Sequence, residues 1–126
     1  IKNGWQVLDL GCGVGSVGLC ILSRNKNINL TGLDIQRDFV DLALQNATLN
    51  GVSDRCRFFC GDIKSEKTIE NNYFNAVFIN PPYQNDGTSS PTKTKDLAHS
   101  EVASSVTLEK WIKYSHLKIK NGGCVT

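Results

Sequence analysis

The chain has 126 residues, 40% of them apolar and 21% charged, which is the size and composition of one ordinary globular domain and too little chain for two cores. Fourteen Lys and Arg against twelve Asp and Glu leave a formal charge of +2, too mild a field to capture nucleic acid by charge alone. Its longest apolar runs, such as 75–79, are strand-length and far short of the roughly 20 residues of a membrane span, and no charged n-region leads into an apolar h-region, so a cytoplasmic protein with no membrane partner is expected.

In chain order, 5–10 reads as a short buried strand, after which Gly11, Gly13, Gly15 and Gly18 punctuate the start of an apolar helix reaching about residue 23. Residues 28–33 make a second strand ending at Asp34. Phe39, Leu42, Ala43 and Ala47 then recur at i, i+3, i+4 and i+8, marking an amphipathic helix that Gly51 stops. A third strand over about 56–60 ends at Gly61-Asp62, and 76–79 gives a fourth with no polar alternation, the pattern of a strand buried on both faces. Residues 84–100, rich in Asn, Gly, Ser, Thr and Lys, form one long unpatterned loop, and loops beyond about 12 to 15 residues are usually functional or disordered. Leu108, Trp111, Ile112 and Ser115 space a last helix that turns Lys110 and Lys113 outward. Asn121-Gly122-Gly123 then signals a turn before a strand starting at Cys124.

Strands alternating with helices over short connections predict an α/β fold, a doubly wound and mostly parallel sheet with right-handed crossovers. The single domain spans 1–126. The chain contains no Met, starts with Ile1 just ahead of a strand and stops as a fifth strand begins, which reads as a partial domain truncated after the start of that strand.

Five cysteines (Cys12, Cys20, Cys56, Cys60, Cys124) make an odd count with no Cys-x-x-Cys pair, which argues against a disulfide framework or a zinc site, so no metal is expected. Cys56 and Cys60 share parity within a strand and so one face of it, and the set reads as small reduced core residues. A thiol nucleophile would require a positioned base, and no pattern sets His99 or His116 beside a cysteine. Both histidines read as surface or cap residues, and Trp5 and Trp111 as packing.

Three motifs carry chemistry. In the first, 7–18, a strand delivers Gly11, Cys12, Gly13 and Gly15 into a helix N-terminus, where backbone without Cβ atoms can approach a ligand and free N–H groups face outward. Gly13-x-Gly15-x-x-Gly18 also satisfies the literal dinucleotide fingerprint, with Asp34 near the expected acidic position. Asp9 separates the two cofactors: a carboxylate two residues before Gly11 is unwelcome beside a pyrophosphate and suits the cationic sulfonium and ammonium of S-adenosyl-L-methionine. In the second, Asp34 with Ile35 ends strand two, where one carboxylate can accept from both ribose hydroxyls; the competing role is a helix cap. Asp62 and Ile63 at the tip of strand three are placed to accept from an adenine amine and to cover its ring.

The third motif is Asn80-Pro81-Pro82-Tyr83, directly after strand four. Two prolines stiffen the turn, so that the Asn80 amide and the Pro81 carbonyl present two aligned acceptors. A planar, conjugated NH₂ offers two donors and a poorly nucleophilic lone pair. Gripping both hydrogens orients the nitrogen toward the methyl group, while Tyr83 stacks on the planar face.

On these residues the chain resembles the class I S-adenosylmethionine-dependent methyltransferases with their Rossmann-like sheet, and among them the Asn-Pro-Pro-Tyr amino-group methylators. It is most similar to the bacterial tRNA(Val) adenine-N6 methyltransferase family of small-domain methyltransferases. The segment from Asp96 through His99 to Glu101 is similar to that family's Ala-x-His-Glu stretch, with one extra residue between His99 and Glu101. The resemblance implies a ligand set of Asp9, Gly11, Asp34 and Asp62, with Asn80 and Tyr83 at the reacting amine and tRNA as substrate; Lys93 and Lys95 would meet phosphate. The alternatives are a protein glutamine methyltransferase acting on a translation release factor, which shares the Asn-Pro-Pro-Tyr turn, and a cofactor-binding module without turnover. An NAD oxidoreductase would leave that turn unexplained.

Overall fold

The computed structural model describes residues 1–81 and 106–126. Its elements run β1 (Gln6–Leu10), α1 (Ser16–Arg24), β2 (Asn29–Asp34), α2 (Arg37–Leu49), β3 (Cys56–Cys60), β4 (Phe74–Ile79), α3 (Leu108–Lys118) and β5 (Ile119–Val125). The strands lie in the order β3-β2-β1-β4-β5 with every neighbouring pair parallel, so the expected α/β doubly wound sheet is present. Winding proceeds outward from β1 through β2 and β3, then restarts on the other side of β1 with β4. At such a reversal the crossovers part to opposite faces and a crevice opens beyond the carboxyl ends of the strands.

Successive strand residues point to opposite faces. Val7 therefore packs under α1 and α2 with Leu22, Leu30, Val40, Ala43 and Phe58, whereas Leu8 and Leu10 pack under α3 with Leu33, Phe74, Val77, Trp111 and Tyr114. Cys56 and Phe58 are buried on the α2 side with Cys60 packed partly against them, as the shared parity predicts. All five thiols are free, but Cys20 and Cys124 are exposed, so the all-core reading holds only for part of the set. No described helix is long and apolar enough to cross a membrane.

Three element readings are corrected. The buried face of α2 is Val40, Ala43 and Ala47, while Leu42 is 44% exposed and Phe39 half-buried. Phe39 misled the phase because it faces a cavity and not the layer. On α3 the sheet-facing residues are Trp111, Tyr114, Ser115 and Lys118, with Leu108 and Ile112 exposed; a buried lysine and tyrosine hid the stripe. Finally, β5 starts at Ile119, and Asn121-Gly122-Gly123 is an irregularity inside it: Phe74 pairs with Ile119 and Ala76 with Cys124, so one residue of β4 faces four of β5.

Candidate functional site

The carboxyl ends of four strands converge on one cavity of about 210 Å³. Gly11 and Gly13 line it after β1, Leu33, Asp34, Ile35, Gln36 and Phe39 at the turn from β2 into α2, Gly61, Asp62 and Ile63 after β3, Asn80 after β4, and Val106 and Trp111 at the start of α3. A larger recess of about 480 Å³ lies at the opposite end, among Gln6, Asn29, Arg55 and Phe74. None of the predicted motif residues reaches it, and by the topology rule it is at the wrong end of the strands.

The glycine turn is held by backbone bonds. The Gly11 and Cys12 N–H groups both donate to the Leu33 carbonyl, at 2.8 and 3.1 Å, and the Val14 carbonyl accepts from Asn46 Nδ2 of α2 at 3.0 Å. Gly11 has φ +74°, and a Cβ on it would lie 3.3 Å from both the Asn80 carbonyl oxygen and Trp111 Cη2. This position therefore brings the ends of β1 and β4 and the α3 helix together, and glycine alone fits it without strain.

Asp34 is 8% exposed, and it is not the helix cap the sequence offered as its competing role: the N-cap of α2 is Gln36, with no side-chain cap bond. Its Oδ1 accepts from the Gln36 N–H at 2.9 Å, in the turn ahead of α2, and its Oδ2 accepts from the Gly13 N–H at 2.8 Å, which anchors the glycine turn. Each oxygen keeps a second lone pair. Asp62 likewise commits one oxygen: Oδ1 accepts from the Lys64 N–H at 2.9 Å.

Three predicted residues lie behind the turn and not in the cavity wall: Asp9, Cys12 and Gly15. Asp9 is 4% exposed, and its Oδ2 has no hydrogen-bond partner among the described residues. Burial pushes its carboxyl up to about 6; the Gly18 backbone N–H opposes that shift and the nearby Asp34 charge adds to it. The Cys12 thiol is pushed above its ordinary range by burial, then by Asp9 and Asp34, which disfavours the thiolate a nucleophile would need. Gly15 faces Phe58 and Ala43 of the apolar layer.

Asn80 is exposed in the wall of the cavity, with its N–H toward the Leu10 carbonyl at 3.4 Å. Pro81 follows outside the wall. Pro82, Tyr83, Lys93, Lys95, His99 and Glu101 lie outside the described residues, and His116 is exposed on α3. The cavity also contains residues that no motif marked: Gln36, Phe39, Val106 and Trp111. Trp111 is 6% exposed, as a packing residue should be, yet its ring edge meets the glycine turn. The sequence marked it as packing alone, because no local pattern reports that its ring reaches the glycine turn.

The family model described as "Methyltransferase small domain" matches residues 2–106. A curated relative, the tRNA1(Val) (adenine(37)-N6)-methyltransferase of Actinobacillus pleuropneumoniae serotype 5b, is 26% identical over 117 residues, covering 89% of this chain and 49% of its own; the chain thus spans about half the length of the curated relatives it matches. Among solved structures, an S-adenosyl-L-methionine-dependent methyltransferase from Methanococcus maripaludis, itself described as putative, superposes with TM-score 0.71 at 17% identity, over 98% of this chain and 48% of the other. The SAM-dependent methyltransferase of Thiobacillus denitrificans, solved with S-adenosyl-L-homocysteine, does so with TM-score 0.69 at 20% identity, over 99% and 42%. At these identities the two structures establish the fold.

Proposed function

The chain belongs to the methyltransferase small domain family, and from that premise we propose that it binds S-adenosyl-L-methionine in the strand-end cavity and serves methyl transfer to an exocyclic amine, adenine N6 of a tRNA. The observation that carries this reading is the convergence of Gly11, Gly13, Asp34, Asp62 and Asn80, from four different strand ends, on one cavity. The name of the Actinobacillus relative supports the tRNA substrate.

The residues present fit this cofactor. The Oδ2 of Asp9, without a hydrogen-bond partner among the described residues, is a buried acceptor suited to a cationic group, and the open space beside Gly13, where a Cβ would meet nothing within 4 Å, lets backbone reach a ligand. Asp34 would accept from the ribose hydroxyls with the lone pairs left over from Gly13 and Gln36, and Asp62 from the adenine amine with its other oxygen, Oδ2. When bound, the cofactor supplies a methyl group on a cationic sulfur. The Asn80 side-chain oxygen would hold one hydrogen of the accepting NH₂ and so orient the nitrogen, with the Pro81 carbonyl and Tyr83 completing the grip as the motif implies.

Asn80→Ala removes an oriented acceptor that matters most as the nitrogen pyramidalises, an effect of the kind worth about 100- to 1,000-fold in rate. The test is transfer of labelled methyl to bulk tRNA and, separately, to a translation release factor, with S-adenosylhomocysteine affinity measured beside it. The expected result is labelled tRNA, a large rate loss in Asn80→Ala and unchanged affinity. Label on the release factor alone would replace adenine by a glutamine amide, and a parent rate in Asn80→Ala would return the turn to a structural role.

A further inference from the structure

The segment after β3 forms no helix, yet one side chain pins it. The Glu66 side chain is 5% exposed, and its two oxygens take donors from different elements. Oε1 accepts from the Ile69 N–H at 2.8 Å and from the N–H and hydroxyl of Thr68; Oε2 accepts from the Tyr114 hydroxyl and lies 3.8 Å from Lys118 Nζ. Lys118 is 3% exposed, donates to the Ile69 carbonyl at 2.5 Å and sits 4.7 Å from the Tyr114 ring centroid. Two residues of α3 are thereby locked to one loop residue.

Both ends of this brace touch the cavity wall. The Glu66 N–H donates to the Asp62 carbonyl at 2.8 Å, beside the Ser65 N–H at 3.0 Å, so the turn held by Glu66 starts at Asp62. A Cβ on Gly61 would lie 3.3 Å from Glu66 Cγ, which places the Glu66 stem against Gly61 itself. Tyr114 follows Trp111 by three residues and so lies one helical turn away on the same face. Gly61, Asp62 and Ile63 make one part of the wall, and Trp111 another.

Buried ion pairs seldom stabilise more than an apolar set of the same volume would, but a fully satisfied one fixes where its partners sit. A loop already ordered spares the ligand that ordering cost on binding. Resting on the reading that this wall takes the adenosyl end of the cofactor, we infer that Glu66, Tyr114 and Lys118 are positioning residues that set cofactor affinity by clamping the Asp62–Ile63 wall to the Trp111 wall.

The experiment is calorimetric titration of the chain with S-adenosylhomocysteine, well below the unfolding temperature, for Tyr114→Phe, Glu66→Gln, Asp62→Ala and the Glu66→Gln/Asp62→Ala double variant. Each brace variant should bind roughly 3- to 30-fold more weakly, in the range by which residues that touch no ligand modulate distant sites. The double variant should lose less than the product of the two singles, because Glu66 acts through the wall that Asp62 belongs to. Tyr114→Phe keeps the ring and its packing, so it carries the test if Glu66→Gln fails to fold. Brace variants that unfold more easily yet bind with the parent affinity overturn the clamp, as does full multiplicativity. Unchanged binding in Asp62→Ala overturns the adenosyl reading of the wall and the clamp's route with it; weakened binding there beside unchanged binding in the brace variants overturns the clamp alone.

Discussion

The two layers that sandwich the sheet are closed by opposite means. Between the sheet and α1–α2, contact is made by leaving atoms out: a Cβ on Gly18 would fall 2.4 Å from Leu30 Cδ2, and one on Gly32 would fall 2.4 Å from Phe58 Cδ1. Apart from the Asp9 carboxylate the surrounding side chains are apolar, with Leu22, Leu30 and Val40 fully buried. On the other face an apolar patch of Leu8, Leu10 and Val77 meets a helix that presents tyrosine, serine and lysine, and a glutamate reaches in from a loop. Close apolar packing sets how far apart two elements lie, and it is non-directional. Directional bonds to a buried charge set which residue lies where. The glycine turn needs the first, because backbone must come near a ligand. The helix-free wall from Gly61 to Ile69 needs the second.

The hardest way to break that contrast is to remove the charge on the α3 side. Burial alone would raise the Glu66 carboxyl, but donors from Thr68, Tyr114 and the Ile69 and Thr68 N–H groups hold it below the ordinary carboxylate range, so it stays ionised. Glu66→Leu would leave the buried Lys118 ammonium without its counter-charge and should cost about 3–5 kcal/mol in urea unfolding. Lys118→Met should cost less, because Glu66 keeps the Tyr114, Thr68 and Ile69 donors. If Glu66→Leu unfolds at the parent midpoint, the α3 layer is held by its apolar patch alone and the two faces are alike.

Asp9 sharpens the comparison from the dry side, being an acid buried next to apolar packing. Its carboxyl is raised from 3.8 to about 6, so the folded state favours the proton. The stability this contributes is complete below about pH 4 and is lost as pH rises through about 6. By 1.36 kcal/mol per unit the ionised form then carries a penalty of about 3 kcal/mol. Asp9→Asn should match the parent near pH 4 and exceed it in stability at pH 7.5, while binding S-adenosyl-L-methionine more weakly, since the cationic sulfonium and ammonium favour the charged carboxylate. A parent-like pH profile in Asp9→Asn would show that another group carries the slope.

The same contrast explains which parts were legible. The alternation of strands and helices, the mostly parallel sheet and the positions of Asp34, Asp62 and Asn80 at strand ends followed from runs of apolar residues broken by Gly, Asp and Asn, since local chain chemistry determines them. The α3 face did not, because Lys118 and Tyr114 belong to the exposed class until Glu66, 48 residues upstream of Tyr114, supplies their partner. No local pattern reports that distance. Leu42 and Leu108 were taken as inward for the complementary reason: single exposed leucines are ordinary, so apolar identity alone does not set the phase of a helix. Asp9 was assigned to the ligand from its address two residues before Gly11, and that address does not report that the carboxyl is buried and outside the cavity wall.

The smallest effect comes from filling the gap at Gly18, where two terms oppose each other. Alanine in a helix interior is favoured over glycine by about 1 kcal/mol, so on an open helix Gly18→Ala would stabilise. Here the new methyl meets Leu30 Cδ2 at 2.4 Å, Leu30 Cδ1 at 3.2 Å and Asp9 Oδ2 at 3.3 Å. Leu30 is 1% exposed in a strand paired on both sides, so it has little room to turn away. Overpacking of this kind costs about 1–3 kcal/mol, leaving a net loss of about 0–2 kcal/mol. Shortening the obstacle should separate the two terms. Leu30→Val alone loses buried methyl contact, but in the Gly18→Ala background it makes room for the methyl, so the pair should be less destabilised than the sum of the singles. Strict additivity in urea midpoints would mean that α1 shifts outward as a body to accommodate the methyl, and the tight spacing of the α1 layer would then be a consequence of the glycine and not a requirement of the fold.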